Sequence, residues 1–351
     1  MRHTGCPVIG DITIETVAAA KSVYDRLRKV GFTKTYIRKV AALPTWWDDS
    51  LWDDPPSRVV GYINLSRHLG IDIATLQNPL VPLRLRELGE CKYKMQASTT
   101  KDELLLPSVI ASRAAQLAAA AMDRPNQPVL SADDVRSTIL ERASWVSFDE
   151  LLDHCWSIGI PVVHVDNFPA DAKKKPMGFT LLMKGRPAIV LSSKKRQPAW
   201  QLFILAHELG HLHHGHVPNN GTLMDETVRK NKPDAEETQA DAYAIELLTG
   251  KATTRFQLPG RWPNARKFAE LAQDFGRRKQ VDPGHVVLNC AHNESESGFW
   301  GVANAALDIL YPNANAIKTI GERLAANLDW ERLPEDDSEF LMRITGQEIP
   351  E

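Results

Sequence analysis

Trp200-Gln201-Leu202-Phe203-Ile204-Leu205-Ala206-His207-Glu208-Leu209-Gly210-His211 is the stretch from which the rest of the chain can be understood. Its apolar first half predicts a core helix beginning near Pro198. Histidines four residues apart share one helical face, so the imidazoles of His207 and His211 can hold a single divalent cation. Glu208 then projects beside the open position where water binds. Nitrogen and oxygen ligands point to Zn2+, with Mn2+ as the alternative.

A third ligand is needed, and the sequence narrows its source. The pattern His-Glu-x-x-His-x-x-Gly-x-x-His requires glycine where His214 stands and histidine where Pro218 stands, so it is not met. Downstream, Glu236-Glu237-Thr238-Gln239-Ala240-Asp241 places Glu237 and Asp241 four apart on one face of a second helix. Glu237 completes the metal shell, and Asp241 hydrogen-bonds a ligand imidazole from outside, fixing its tautomer. Glu236 is the alternative ligand but lacks the offset to Asp241. Tyr243, His214, His216 and His164 are the candidates for a donor to a developing oxyanion.

Upstream the hydrophobic period changes. Ile160 to Val165, Phe179 to Met183 and Ala188 to Leu191 are short β-branched or apolar runs, the last two joined by the hairpin loop Lys184-Gly185-Arg186-Pro187. The expected class is α+β: a mainly helical chain with a small antiparallel or mixed sheet packed on the site helices. An exposed edge of the Phe179 to Leu191 hairpin is the expected seat for an extended peptide. Three regions follow: a helical N-terminal domain over 1–125, the site-bearing domain over 130–250, and a helical C-terminal region over 251–351. Asp123-Arg124-Pro125-Asn126-Gln127-Pro128 is the linker candidate between the first two.

Gly159-Ile160-Pro161-Val162, Gly178, Ala188-Ile189-Val190-Leu191, Ala206 to His211 and Glu237-Thr238-Gln239-Ala240-Asp241-Ala242-Tyr243-Ala244 together resemble the ImmA/IrrE family of metallopeptidases. The resemblance implies a zincin-like domain with His207, His211 and Glu237 as ligands and Glu208 as general base. It implies an endopeptidase whose substrate is a helix-turn-helix repressor of the XRE type or an antitoxin, in stress response, mobile-element control or phage defence. Two departures stand out. Gly215 occupies a position where the family often has histidine, and Thr249-Gly250 stands where it often has Met-Pro.

Composition sets the outer limits. The 351 residues include 42 Lys+Arg against 44 Asp+Glu, with 43% hydrophobic residues, enough for a sizeable core. A net charge of -2 excludes a uniformly polycationic nucleic-acid binder. Cys6, Cys91, Cys155 and Cys290 form no Cys-x-x-Cys pair, which argues against a thiolate zinc site and a disulfide framework. The first residues form no apolar signal core, and the Ala-rich run Ala114 to Met122 is far shorter than a membrane span of roughly 20 residues, so a cytoplasmic protein without membrane contact is expected.

Local charge raises a further expectation. Lys21, Arg26, Arg28, Lys29, Lys34, Arg38 and Lys39 lie on a predicted helix pair ending near Ala42, a helix-turn-helix pattern that can contact DNA phosphates. A second such pattern falls near 265–292, with Arg277-Arg278-Lys279 in its turn. Lys173-Lys174-Lys175, Lys184, Arg186 and Lys194-Lys195-Arg196 surround the hairpin and would steer an acidic partner. Trp46, Trp47 and Trp52, alternating with aspartates, read as a loop pinned onto a core. Two rival functions remain beside the peptidase acting on a repressor: a toxin protease restrained by a partner, and a DNA-binding regulator with a non-catalytic metal site.

Overall fold

The computed structural model describes residues 22–86, 90–94, 101–170, 172, 177–225, 234–258, 262–294 and 298–347. The expectations placed on Lys21, on Lys173-Lys174-Lys175 and on Cys6 lie outside the described residues. The N-terminal helices are α1 (residues 22–29), α2 (Lys34–Lys39), α3 (Pro55–Leu69) and α4 (Ile73–Gln77). Thr33 caps α2 by accepting from Tyr36 N, and α2 ends three residues before the predicted Ala42 because Ala41 adopts φ +50°. Basic residues of α1 and α2 have intramolecular work: Lys34 and Arg38 pair with Asp49, and Arg26 donates to the carbonyls of Thr75, Leu76, Asn78 and Val81. Trp47 and Trp52 pin the tryptophan loop as expected, whereas Trp46 is exposed. Trp52 is fully buried, and a Cβ on Gly61 of α3 would come within 2.6 Å of the Trp47 ring.

Five strands form one mixed sheet: β1 (Glu90–Lys94), β2 (Val162–His164), β3 (Gly178–Met183), β4 (Arg186–Leu191) and β5 (Gly221–Asp225), in the order β1-β5-β3-β4-β2. β3 runs antiparallel to both β4 and β5, while β2 is parallel to β4 and β1 parallel to β5. The β3–β4 turn is two residues, Lys184 and Gly185, both at positive φ, as a tight hairpin requires. This corrects the expected position of the hairpin: it lies in the middle of the sheet, because β5 covers the outer side of β3, and the edges are β1 and β2. Arg186 opens β4 and donates to the carbonyls of Ala119 and Met122, so it serves packing.

Side chains alternate across β3. Gly178 and Thr180 meet the site helix α8 (Pro198–His213), whereas Leu181 and Met183 face the side of α5 (Lys101–Ala121). Helix α5 is longer than the Ala114 to Met122 run suggested. Its segment Leu104–Ala121 matches a membrane span in length and composition, but 78% of it is buried within the protein, which accounts for its apolarity as core.

The larger apolar core runs from Val23 to Ile344 and draws on α5, α6 (Ala132–Leu140), α7 (Phe148–Ser157), the sheet, α8 and α9 (Ala235–Thr249). It also takes in α13 (Ala316–Asn327) and α14 (Glu335–Ile344). α14 returns to the N-terminal helices, where Asp337 accepts from Arg113 at 2.6 Å and lies 2.9 Å from His68 Nε2. A second core joins Ala199 of α8 to α10 (Ala265–Lys279), α11 (Pro283–Asn293) and α12 (Phe299–Leu310). Helices α10 and α11 are separated by three residues, and α11 packs on α8.

Candidate metal centre

Helix α8 begins on Pro198, whose missing N–H costs nothing at a first-turn position, and ends before Gly215 at φ +67°. Helix α9 is capped by Asp234 and stopped by Gly250 at φ +82°. The two cross where side chains are smallest. A Cβ on Gly210 would lie 3.0 Å from both Cα and O of Ala240, and 3.1 Å from the Tyr243 Cβ. This close approach brings Glu237, one turn before Ala240, up to the histidine face of α8.

There His207, His211 and Glu237 each offer one ligand atom, all within 4.8 Å of one another. The Nε2 atoms of His207 and His211 are 3.0 Å apart. Glu237 Oε2 is 3.4 Å from His207 Nε2, and Oε1 is 3.5 Å from His211 Nε2. Both histidines are buried, and Glu237 Oε1 is a buried carboxylate oxygen without a hydrogen-bond partner. Two imidazole nitrogens and a carboxylate converging on one point are reconciled by a shared cation. The spacing fits: ligands about 2.0–2.1 Å from zinc at a tetrahedral angle stand roughly 3.3 Å apart.

The outer ring nitrogens are held as ligands require. His207 Nδ1 lies 2.9 Å from Asp241 Oδ1. His211 Nδ1 lies 2.9 Å from His216 Nδ1, and His216 Nε2 in turn 2.9 Å from Gln239 Oε1. With both ligand histidines carrying the proton on Nδ1, His216 accepts from His211 and donates to Gln239, so α9 orients both imidazoles. Glu208 is buried and is not one of the converging groups. Thr180 Oγ1 donates to its Oε2 at 2.6 Å, and its Oε1 fills the space over Gly178, where a Cβ would approach to 2.5 Å.

His207, Glu208 and Asp241 open onto a cavity of about 350 Å3 whose far wall comes from α11 and α12. Trp200 stacks on Trp300 at 5.5 Å between ring centroids, and Phe203 on His285 at 6.2 Å. His285 is 2% exposed and neither ring nitrogen has a hydrogen-bond partner. Burial pulls its pKa down to about 4, with Arg136 adding to the effect.

The structure thus brings together His207, Glu208, His211, Glu237 and Asp241, and leaves Glu236 out of the converging set. Among the four expected oxyanion donors, Tyr243 donates to Leu130 O at 3.1 Å and His164 Nε2 lies 2.9 Å from Ser193 O. His216 supports His211, and His214 is exposed beside Tyr243. Sequence reasoning missed Thr180, Gln239 and His285. Only Gln239 carried a local signal, two residues from Glu237 and from Asp241.

Residues 159–282 match the family model Peptidase M78, the IrrE N-terminal-like domain. No curated protein and no solved structure matches the chain. The matched span holds β2 to β5 and the helices α8 to α10, while the cavity wall from His285 to Trp300 lies beyond it.

Proposed function

The domain at residues 159–282 belongs to the ImmA/IrrE metallopeptidase family, and from that premise we propose that the chain is a cytoplasmic, metal-dependent endopeptidase. Its substrate would be a protein partner, a helix-turn-helix repressor or antitoxin. The observation that carries the reading is the convergence of His207, His211 and Glu237 beside a Glu208 that opens onto a cavity.

His207, His211 and Glu237 would hold a divalent cation, zinc first by the chemistry of the donors, which would supply Lewis acidity to water and to the scissile carbonyl. Glu208 takes the proton of the attacking water as that oxygen joins the carbonyl carbon, and passes it to the leaving amine nitrogen as the peptide C–N bond breaks. Thr180 steadies this carboxylate by donating to its Oε2. Asp241 and the His216–Gln239 pair hold the two imidazoles in place. The aromatic cavity receives a substrate side chain and excludes water, and His285 offers it an uncommitted imidazole.

The test is cleavage of a helix-turn-helix protein encoded beside this one, by metal-loaded chain and by Glu208→Gln. Cleavage by the first and loss of about 10²-fold or more in the second is expected for removal of a general base. Undiminished cleavage by Glu208→Gln would sink the mechanism.

A further inference from the structure

On the opposite face of β3 from Glu208 lies a second cavity, of about 320 Å3. Its walls come from the end of α3, from α5 and from β3 and β5, and three arginines line it: Arg67, Arg86 and Arg113. Gln116, Asn220 and Thr222 add neutral polar groups, Leu181 and Met183 an apolar floor, and no carboxylate is among the described lining residues.

Among the described residues, Asp337 is the acid that reaches the arginines, accepting from Arg113 at 2.6 Å and standing 3.9 Å from Arg67. Arg86 donates to the carbonyl of Ser66. The Arg113 side chain is 19% exposed, and its Nε is buried without a hydrogen-bond partner. Burial depresses the Arg113 pKa; Asp337 opposes that, and Arg67 and Arg86 add to it. The Arg113 side chain is mostly buried, Arg67 is 40% exposed and Arg86 is exposed, and three like charges lining one recess favour an anion that joins them. Guanidiniums present paired N–H donors in the geometry that phosphate oxygens accept.

We infer that this cavity is a binding site for a phosphate-bearing small molecule, its oxyanion held by Arg67, Arg86 and Arg113 and its remainder resting on Leu181 and Met183. The volume falls at the lower end of small-ligand pockets, roughly 300–1,000 Å3. The site stands independently of cleavage chemistry, since none of its residues touches Glu208 or the converging ligands.

Isothermal titration of the full chain at low ionic strength in chloride, with pyrophosphate, AMP and adenosine as probes, tests it. Pyrophosphate and AMP are expected to bind one per chain with Kd below ~1 mM, and adenosine not to bind. Arg86→Gln and Arg67→Gln should each weaken binding by about tenfold or more, as loss of a charge-assisted contact implies. Arg28→Gln, an exposed arginine elsewhere, should leave it unchanged. Arg113→Gln is the less suitable variant because it also unties Asp337; the other two keep the measurement interpretable. Absence of saturable binding at ~10 mM, equal affinity for adenosine, or indifference to both substitutions would overturn the inference. So would displacement of pyrophosphate by duplex DNA more readily than by AMP.

Discussion

Removing the carboxylate of Asp241 should loosen the metal without touching a ligand. Its Oδ1 accepts from His207 Nδ1 at 2.9 Å, and its side chain is 30% exposed. Outer carboxylates of this kind are worth about 10–100-fold in metal affinity, or roughly 1.4–2.7 kcal/mol. Partial exposure screens the charge and places Asp241→Ala near the lower end, about tenfold. Asp241→Asn keeps an acceptor oxygen but loses the charge, so a fall of only a few-fold is expected, since neutral hydrogen bonds are about half as strong. Glu237→Ala removes one of three converging groups and should cost more than either. Competition with a chromophoric zinc chelator at neutral pH measures all three without any substrate. With free zinc well above both dissociation constants, the tenfold loss reappears as about 1.4 kcal/mol of metal-linked stability. An unchanged affinity in Asp241→Ala, or Asp241→Asn falling as far as alanine, would refute the claim that this hydrogen bond holds His207. Glu237→Ala milder than Asp241→Ala would remove Glu237 from the ligand set.

Thr180→Val deletes a buried donor to Glu208 and leaves the metal groups alone. Cleavage should fall about tenfold to hundredfold, the worth of a hydrogen bond to a charged group, with zinc affinity unchanged. Gly210→Ala adds the Cβ that meets Ala240, so zinc should bind more weakly while thermal stability changes little, the gain in helix propensity of about 1 kcal/mol offsetting the crowding. His285 carries a pH signature. Its pKa is about 4 in the fold and about 6.5 unfolded, so between those values the unfolded chain binds the extra proton and stability falls as pH falls. The loss is on the order of 3 kcal/mol, and His285→Phe should flatten the chemical-denaturation curve between about pH 6.5 and 4. Asp337 is held below its usual carboxylate range against the pull of burial by His68 and Arg113. Asp337→Ala therefore leaves buried partners unpaired and should cost about 3–5 kcal/mol in urea unfolding.

What the sequence disclosed follows from local periodicity. His207 and His211, and Glu237 and Asp241, are each four apart on a helix, so their shared faces are visible before any fold is known. The Lys184-Gly185 turn was equally local. The groups that were missed act across the fold. Thr180 reaches Glu208 from a strand 28 residues away, and His68 meets Asp337 across 269 residues. β1 and β5 were overlooked because Glu-Cys-Lys-Tyr-Lys and Gly-Thr-Leu-Met-Asp are poor in β-branched residues. They form because each satisfies the backbone groups of a neighbouring strand, and by doing so they moved the hairpin from an edge to the centre. Arg67, Arg86 and Arg113 are scattered in the chain and acquire meaning only where α3 and α5 meet the sheet.

The gap between Gly210 and Ala240 is a dimension set by the side chain that Gly210 lacks. Coordination distances tolerate only about 0.2 Å, and a methyl group at Gly210, 3.0 Å from the Ala240 backbone, pushes the helix pair apart on that scale. The crossing therefore sets how closely His207, His211 and Glu237 converge, and a chain with alanine at 210 would hold those three groups slightly farther apart.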